Sequence, residues 1–155
     1  MIESVLTVCI GNICRSPVAQ ALLSHRLPGL AVSSAGLQAL DGHGIDAPMS
    51  HLLETSGVQP PEHKARTLAS WMLMNASLVI VMDAHQKSHI ERHYPTARGR
   101  VFRLLEPVGA SGIEGQDIPD PYLQDRLTYE HVYHLIDEGV QRWAARIRSI
   151  GYRSV

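Results

Sequence analysis

The 155-residue sequence has few cysteines and almost no net charge. Two cysteines are too few for a disulfide scaffold, and we expect both to be free thiols. Fourteen basic and fifteen acidic side chains give a formal net charge of -1, so the chain has no general electrostatic attraction for nucleic acid or an anionic membrane. We therefore expect no nucleic-acid partner, and any anion must bind at a local site.

The sequence also has no long apolar run. No segment approaches the roughly 20 apolar residues of a membrane-spanning helix. The amino-terminal segment MIESVLTVCI carries an acidic residue where a secretory signal carries basic ones. We therefore expect a cytoplasmic protein without stable membrane insertion. A chain of this length is expected to form a single domain over residues 1–155, with one core.

Short apolar segments alternate with amphipathic segments along the chain, which predicts strands alternating with helices. The predicted strands cover residues 5–10, 30–35, 78–82 and 101–104. The predicted helices cover residues 17–27, 49–56, 67–75 and 83–94, and a last helix carries an apolar stripe over residues 132–147. This order predicts an α/β fold with three layers, α/β/α, around a four-stranded, mostly parallel central sheet.

Two loops and one helix start are informative. Residues 36–46 contain three glycines, and residues 106–123 contain three glycines and three prolines, which predicts loops in both places. Long ordered loops are often functional. Ser16 followed by Pro17 predicts that the first helix begins there, with the serine as its cap.

The segment VCIGNICRSP, residues 8–17, follows the first predicted strand and holds both cysteines. A structural zinc site usually takes four ligands in two close pairs, but this chain offers only two cysteines and no histidine pair with an evident partnering spacing. A dithiol redox site usually has the spacing C-x-x-C, and here the two cysteines are separated by four residues. A metal clasp and a redox pair are therefore the less favoured interpretations, and we expect no bound metal.

The third interpretation, an anion-binding loop, gives a role to every residue of the segment. A loop that closes onto a helix amino terminus directs backbone N–H groups toward an anion, and Gly11 and Asn12 tolerate the backbone angles that this requires. Arg15 adds a planar fork of donors that matches two phosphate oxygens. The same field favours a thiolate at Cys9, which is the predicted nucleophile, and Ser16 can hydrogen-bond its sulfur. The predicted phosphate ligands are the amides of six residues: Ile10, Gly11, Asn12, Ile13, Cys14 and Arg15.

The spacing C-x5-R-S from Cys9 to Ser16, near the start of a chain of this length, resembles the low-molecular-weight protein tyrosine phosphatases. A second motif agrees, because the family carries its general acid in an Asp-Pro motif and this chain has Asp120-Pro121-Tyr122. Ser34-Ala35-Gly36 and Met82-Asp83 also lie at the positions expected of the family. The resemblance covers the whole chain.

The resemblance implies a cysteine-based protein-tyrosine-phosphatase that needs no cofactor. Cys9 would attack phosphorus in line, Arg15 would hold the phosphate oxygens, and Asp120 would protonate the leaving phenolate. The supporting residues would be Asn12, Ser16 and Ser34, which fix the loop. Asp83 and His63 are further candidates for that shell, and the alternative for His63 is a solvated or otherwise satisfied histidine. Cys14 would form a reversible disulfide with Cys9 and protect it from overoxidation; the alternative is a thiol that packs inward.

Three apolar side chains are predicted to form the walls for the substrate ring: Ile13, Leu40 and Tyr122. Family members that act on phosphoarginine carry threonine where this chain has Ile13, so tyrosine is favoured over arginine. Arsenate reductases of the same fold need two further cysteines in the middle of the chain, and residues 15–155 contain none. Arsenate reduction is therefore not expected.

The loop SAGLQALDGHG and the motif DIPDPY resemble the bacterial branch of the family. That branch implies a cognate membrane tyrosine autokinase as the partner and a role in capsule or exopolysaccharide production. We expect a monomer or a weak oligomer. Two other classes of function use the same residues: a phosphotyrosine-binding module without catalysis, and a redox sensor.

Overall fold

The computed structural model describes residues 1–106 and 115–155, and within them the chain alternates between strands and helices. Four strands are present: β1 Ser4–Cys9, β2 Ala31–Gly36, β3 Leu78–Val81 and β4 Val101–Arg103. Five α helices accompany them: α1 Arg15–Arg26, α2 Ala47–Thr55, α3 Ser70–Asn75, α4 Ala84–His93 and α5 Arg126–Ile150. A short 3-10 turn, Pro95–Ala97, has no counterpart in the sequence prediction.

The four strands form one sheet in the order β2-β1-β3-β4, and all three strand pairs are parallel. This confirms the predicted four-stranded α/β architecture. The last residue of β1, Cys9, pairs with the last residue of β2, Gly36, so both strands end at the same edge of the sheet. Ligand sites of parallel sheets lie at this carboxyl edge, because the connecting loops leave the strands there.

Side chains of β1 alternate between two apolar clusters, one on each face of the sheet. Val5 and Cys9 belong to the cluster that contains α1, α2 and α5, while Leu6 and Val8 belong to the cluster that contains α3 and α4. Successive side chains of a strand point to opposite faces, so this strand is buried on both sides. The sheet is therefore the middle layer of three. None of the helices in the described parts of the chain is long and apolar enough to cross a membrane.

The start of α1 differs from its prediction. The helix begins at Arg15, two residues before the predicted start, and no side chain caps it. The prediction that Ser16 is the cap was wrong. Ser16 is the second residue of the helix, and its hydroxyl forms hydrogen bonds with Asn12 Nδ2 and with the Cys9 sulfur.

The start of α3 also differs, because residues 67–69 are not helical. The backbone N–H of Gly36 donates to the carbonyl of Arg66 at 2.9 Å, and the N–H of Leu68 donates to the carbonyl of Gly36 at 2.8 Å. This segment therefore extends the end of β2, and that pairing prevents the helix from starting earlier. The other predicted boundaries fall within two residues of the observed ones, except that α5, Arg126–Ile150, begins six residues before the predicted apolar stripe of residues 132–147 and ends three residues after it. Of the predicted loop 106–123, residues 107–114 lie outside the described residues, and residues 115–123 are not helical.

Gly139, in the middle of α5, lies against buried Leu104 and Leu105. A Cβ atom at this position would be 2.6 Å from Leu104 Cγ and 3.1 Å from Leu105 Cδ2. Alanine normally stabilises a helix interior relative to glycine by up to about 1 kcal/mol. Here the contact reverses that preference, since neither leucine has open space into which to move.

We predict that Gly139→Ala lowers the free energy of unfolding by about 1–3 kcal/mol, because it overpacks this contact. Urea unfolding followed by circular dichroism measures the change. Glu138→Ala, at an exposed position of the same helix, is the matched control and should change the stability by less than about 0.5 kcal/mol. A Gly139→Ala variant more stable than the wild type would contradict the predicted clash.

Candidate active site

The loop of residues 10–14 joins β1 to α1 at the carboxyl edge of the sheet, and it is called the 10–14 loop below. Cys9 precedes it as the last residue of β1, and Arg15 follows it as the first residue of α1. The helix therefore directs its amino terminus, with its free N–H groups and partial positive charge, toward this loop. Such an arrangement favours an anion at the loop.

The Cys9 sulfur receives two hydrogen bonds from the start of α1. Ser16 Oγ lies 2.9 Å from Cys9 Sγ, and the backbone N–H of Ser16 donates to the same sulfur at 3.4 Å. Asn12 Nδ2 donates to Ser16 Oγ at 2.8 Å, so the hydroxyl hydrogen of Ser16 is free to point at the sulfur. The start of α1 therefore places a hydroxyl group and a backbone N–H against the Cys9 sulfur.

Asn12 is fully buried, and its φ angle of 58° lies in the left-handed region, where asparagine is one of the few tolerated side chains. Its Nδ2 also donates to Ser34 Oγ at 3.0 Å, and its Oδ1 accepts from the N–H of Arg66 at 3.0 Å. Its carbonyl lies 2.6 Å from His63 Nε2, which must be the donor because a carbonyl only accepts. The 10–14 loop is thus tied to β2 and to the segment before α3.

Gly36 allows β2 to approach this loop closely. A Cβ atom at Gly36 would be 2.3 Å from the carbonyl oxygen of Ile10 and 3.0 Å from Asn12 Cβ. No side chain fits that space, so the close approach of the two chain segments requires glycine here. The position is the third residue of the predicted Ser34-Ala35-Gly36 motif.

Arg15 is 3% exposed and is held from two sides. Its Nη1 donates to the carbonyl of Ile118 at 2.9 Å and lies 3.7 Å from Asp83 Oδ2, while its Nη2 lies 3.9 Å from Asp120 Oδ2. Asp83 also caps α4, because its Oδ1 accepts from the N–H of Gln86 at 2.7 Å. A guanidinium fixed in this way keeps its planar fork in one orientation.

Residues 120–124 form a tight turn, called the Asp120 turn below. Asp120 Oδ1 accepts from the N–H of Tyr122 at 3.1 Å, and the N–H of Gln124 donates to the carbonyl of Pro121 at 2.9 Å. Just before the turn, the N–H of Ile118 donates to the carbonyl of Met82 at 2.9 Å. The turn is therefore attached to the end of β3, beside the Arg15 guanidinium.

A small pocket collects most of the predicted site residues at one place. It is lined by eight residues: Cys9, Gly11, Ile13, Cys14, Arg15, Leu40, Asp120 and Tyr122. The predicted supporting residues Asn12, Ser16 and Ser34 lie beneath the loop and are joined by the hydrogen bonds described above. A larger groove between α2 and the start of α5 contains none of the predicted site residues. The chemistry-bearing side chains thus converge on the smaller pocket.

Asp46 and Tyr129 were missed by the sequence reasoning. Asp46 Oδ2 accepts from Tyr129 Oη at 2.5 Å and from Cys14 Sγ at 3.4 Å. Burial, together with the Asp46 carboxylate, raises the pKa of the Cys14 thiol and of the Tyr129 hydroxyl, so both stay protonated at neutral pH. Locally, Asp46 resembles a helix cap and Tyr129 belongs to the apolar stripe of α5, so neither gave a functional signal.

No cluster of three or more histidine, cysteine, aspartate or glutamate side chains is placed to hold a metal ion within residues 1–106 and 115–155. Both cysteines are free and buried. The arrangement can instead bind a tetrahedral anion between the 10–14 loop and Arg15, with a nucleophilic sulfur below it and a carboxylic acid beside it.

The sequence was compared with protein families and with known proteins. Residues 4–151 match the family model for low molecular weight phosphotyrosine protein phosphatases. The chain is 42% identical over 151 residues to the probable low molecular weight protein-tyrosine-phosphatase EpsP of Ralstonia nicotianae, and the match covers 97% of this chain and all of that protein.

Two solved structures share the fold. The tyrosine phosphatase Wzb from Escherichia coli K30, in complex with sulphate, superimposes with a TM-score of 0.86 at 31% identity, covering 95% of this chain and 99% of Wzb. The YwlE arginine phosphatase from Geobacillus stearothermophilus superimposes with a TM-score of 0.85 at 30% identity, covering 95% and 94% of the two chains. Solved structures with this fold thus include a tyrosine phosphatase and an arginine phosphatase.

We predict that Asn12→Ala lowers the free energy of unfolding by about 2–4 kcal/mol, because it removes three side-chain hydrogen bonds and places alanine in a left-handed conformation. Asn12→Gly removes the same bonds, but glycine tolerates the backbone angle. This variant should therefore lower the free energy of unfolding by less than Asn12→Ala does. Urea denaturation of both variants measures the two contributions. Equal stability of Asn12→Ala and the wild type would show that these bonds do not hold the loop.

Proposed function

The chain belongs to the low molecular weight phosphotyrosine protein phosphatase family, and from this membership we propose that it hydrolyses phosphotyrosine through a phosphocysteine at Cys9. The observation that carries the proposal is the pocket in which Cys9, Arg15 and Asp120 meet. A sulfur with two donors, a fixed guanidinium and a carboxyl group are the three parts that this reaction needs.

In the first step, the Cys9 thiolate attacks phosphorus in line and the bond between phosphorus and the phenol oxygen breaks. Asp120, in its acid form, gives its proton to the leaving oxygen. In the second step, the Asp120 carboxylate accepts a proton from water, the water oxygen bonds to phosphorus, and the bond between phosphorus and sulfur breaks. The products are inorganic phosphate and the Cys9 thiolate, so no metal or redox partner enters the balance.

Arg15 binds the phosphoryl oxygens in both steps. Its contacts to Ile118 and Asp83 set the guanidinium in place before substrate arrives, so little freedom is lost on binding. The amides of residues 10–15 share the charge with it, and the start of α1 adds its dipole. The hydrogen bonds from Ser16 stabilise the Cys9 sulfur as a thiolate, both before attack and when it leaves phosphorus.

The walls of the pocket favour an aromatic ring. Ile13, Leu40 and Tyr122 present apolar surface around the entrance. A tyrosine ring buried between them gains hydrophobic stabilisation, whereas a guanidino group there would lose its hydration against the aliphatic side chains of Ile13 and Leu40. We therefore propose phosphotyrosine rather than phosphoarginine as the substrate.

The cellular substrate we propose is a membrane tyrosine autokinase, whose dephosphorylation would regulate capsule or exopolysaccharide production. Resemblance to the bacterial branch supports this proposal. The cytoplasmic location, the single domain over residues 1–155 and the monomeric or weakly oligomeric state stay predictions from the sequence.

For Cys14 we propose a protective disulfide with Cys9. A hydroperoxide would oxidise the Cys9 thiolate to a sulfenic acid, and the Cys14 sulfur would then form the S–S bond with loss of water. Because burial and Asp46 raise the pKa of Cys14, little thiolate is present to attack, and we expect this step to be slow.

We predict that Cys9→Ser abolishes phosphate release from a phosphotyrosine peptide while vanadate still binds. Cys14→Ser removes the other thiol of the same pocket and should still release phosphate, because serine keeps the backbone amide and can donate to Asp46 as Cys14 does. The wild type should release phosphate from the phosphotyrosine peptide and far less from a phosphoarginine peptide. A colorimetric phosphate assay measures phosphate release by the wild type and both variants. Turnover by Cys9→Ser would show that Cys9 is not the nucleophile.

We predict that Asp120→Ala lowers kcat/KM for phenyl phosphate by about 10² to 10⁴, because the phenolate then leaves without a proton. Aryl phosphates whose phenols are strongly acidic should be affected much less. Asp117→Ala removes an exposed carboxylate three residues away, which pairs with Arg103 rather than Arg15, and should behave like the wild type. Equal slowing of all substrates by Asp120→Ala would argue against a proton donor.

A further inference from the structure

The hydroxyl of Tyr129 lies between two parts of the site that are distant in the sequence. Tyr129 is in the first turn of α5 and is 5% exposed. Its Oη donates to Asp46 Oδ2 at 2.5 Å and accepts from the backbone N–H of Leu123 at 3.3 Å. Leu123 belongs to the Asp120 turn, so this hydroxyl is bonded to the segment that carries the carboxylic acid.

On its other side, the Tyr129 hydroxyl reaches the 10–14 loop through Asp46. Asp46 Oδ2 accepts from Cys14 Sγ at 3.4 Å, and the backbone N–H of Asp46 donates to the carbonyl of Ile13 at 2.9 Å. Asp46 is thus bonded to two consecutive residues of the loop. A continuous chain of hydrogen bonds therefore runs from the 10–14 loop through Asp46 and Tyr129 to the Asp120 turn.

The Asp120 turn needs an anchor of this kind, because Leu123 has a φ angle of 62°. Leucine is disfavoured in the left-handed region, where its Cβ crowds the backbone. The Leu123 side chain is 80% exposed, so no packing of that side chain compensates. The hydrogen bond from the Leu123 N–H to Tyr129 is the contact that fixes the strained residue to the body of the fold.

We propose that Tyr129 is a positioning residue, whose hydroxyl sets the Asp120 turn at a fixed distance from the phosphate-binding loop through Asp46. It does not touch the substrate. Its effect is to place the Asp120 carboxyl group where the oxygen of the leaving phenol departs.

The protonation states fit this assignment. Burial, followed by the hydrogen bond to Asp46, raises the pKa of Tyr129, and burial followed by the Asp46 charge raises the pKa of Cys14. Both groups therefore keep their protons at neutral pH and donate them to one carboxylate. The side-chain hydrogen bonds of Tyr129 and Cys14 thus run toward the Asp46 carboxylate, and the backbone N–H of Asp46 in turn donates to the carbonyl of Ile13.

This inference rests on the proposed function, since it needs Asp120 as the proton donor. The test replaces Tyr129 by phenylalanine, which keeps the ring and removes only the hydroxyl. The matched control is Tyr133→Phe, because Tyr133 lies one turn later in α5, is equally buried, and donates its hydroxyl to Ser56 Oγ at 2.9 Å, away from the Asp120 turn.

The measurement is kcat/KM for a series of aryl phosphates whose phenols range from weakly to strongly acidic. We expect Tyr129→Phe to lower kcat/KM for phenyl phosphate by about ten- to a hundredfold, because a small displacement of a catalytic group has an effect of this order. Phosphates of the most acidic phenols should be unaffected, as they leave without a proton. Tyr133→Phe should follow the wild type throughout.

A second variant keeps the test decisive if Tyr129→Phe does not fold. Asp46→Ala breaks the same chain at its other link and should steepen the leaving-group dependence in the same way. Where both variants fold, the double variant should lower kcat/KM for phenyl phosphate by less than the product of the two single effects, because both substitutions break the same connection.

The outcomes separate the inference from the proposed function. Equal slowing of all substrates by Tyr129→Phe, or a leaving-group dependence like that of the wild type, overturns the positioning role while Asp120→Ala still identifies the acid. If Asp120→Ala leaves the leaving-group dependence unchanged, the acid assignment itself is wrong, and the positioning role is overturned with it.

Discussion

The side-chain amide of Asn12 is the interaction on which the rest of the site depends. Its nitrogen donates hydrogen bonds to Ser16 in α1 and Ser34 in β2, and its oxygen accepts one from Arg66, in the segment before α3. The Ser16 hydroxyl that accepts from Asn12 lies 2.9 Å from the Cys9 sulfur. A single buried asparagine in a left-handed conformation thus couples the shape of the loop to the hydroxyl group beside Cys9.

The carboxyl edge of the sheet brings the other groups to this loop without long side chains. Asp83 lies two residues after the end of β3 and caps α4, so its position is set by backbone geometry next to Arg15. The Ile118 carbonyl is fixed by its own N–H bond to Met82 at the same strand end. The arginine is consequently oriented by groups at the carboxyl edge of the sheet.

Much of this molecule could be predicted from the sequence, because the relevant signals are local. Apolar runs predicted the strands, and the segment from Cys9 to Ser16 predicted the loop between the first strand and the first helix. The errors arise where distant contacts override local preferences. Ser16 is drawn away from capping by Asn12 and Cys9, and residues 67–69 pair with the end of β2. Asp46 and Tyr129 are 83 positions apart, and no local pattern reveals a hydrogen bond over that separation.

The two thiols of the pocket differ in a way that matters for covalent chemistry aimed at this site. The Cys9 sulfur lies 2.9 Å from Ser16 Oγ and accepts from the Ser16 N–H, whereas Cys14 donates to the Asp46 carboxylate, which together with burial raises the pKa of Cys14. Electrophiles react with thiolates far faster than with thiols. Under the proposed function, an electrophilic probe that enters this pocket would therefore react with Cys9 in preference to Cys14, although the two thiols are only five positions apart.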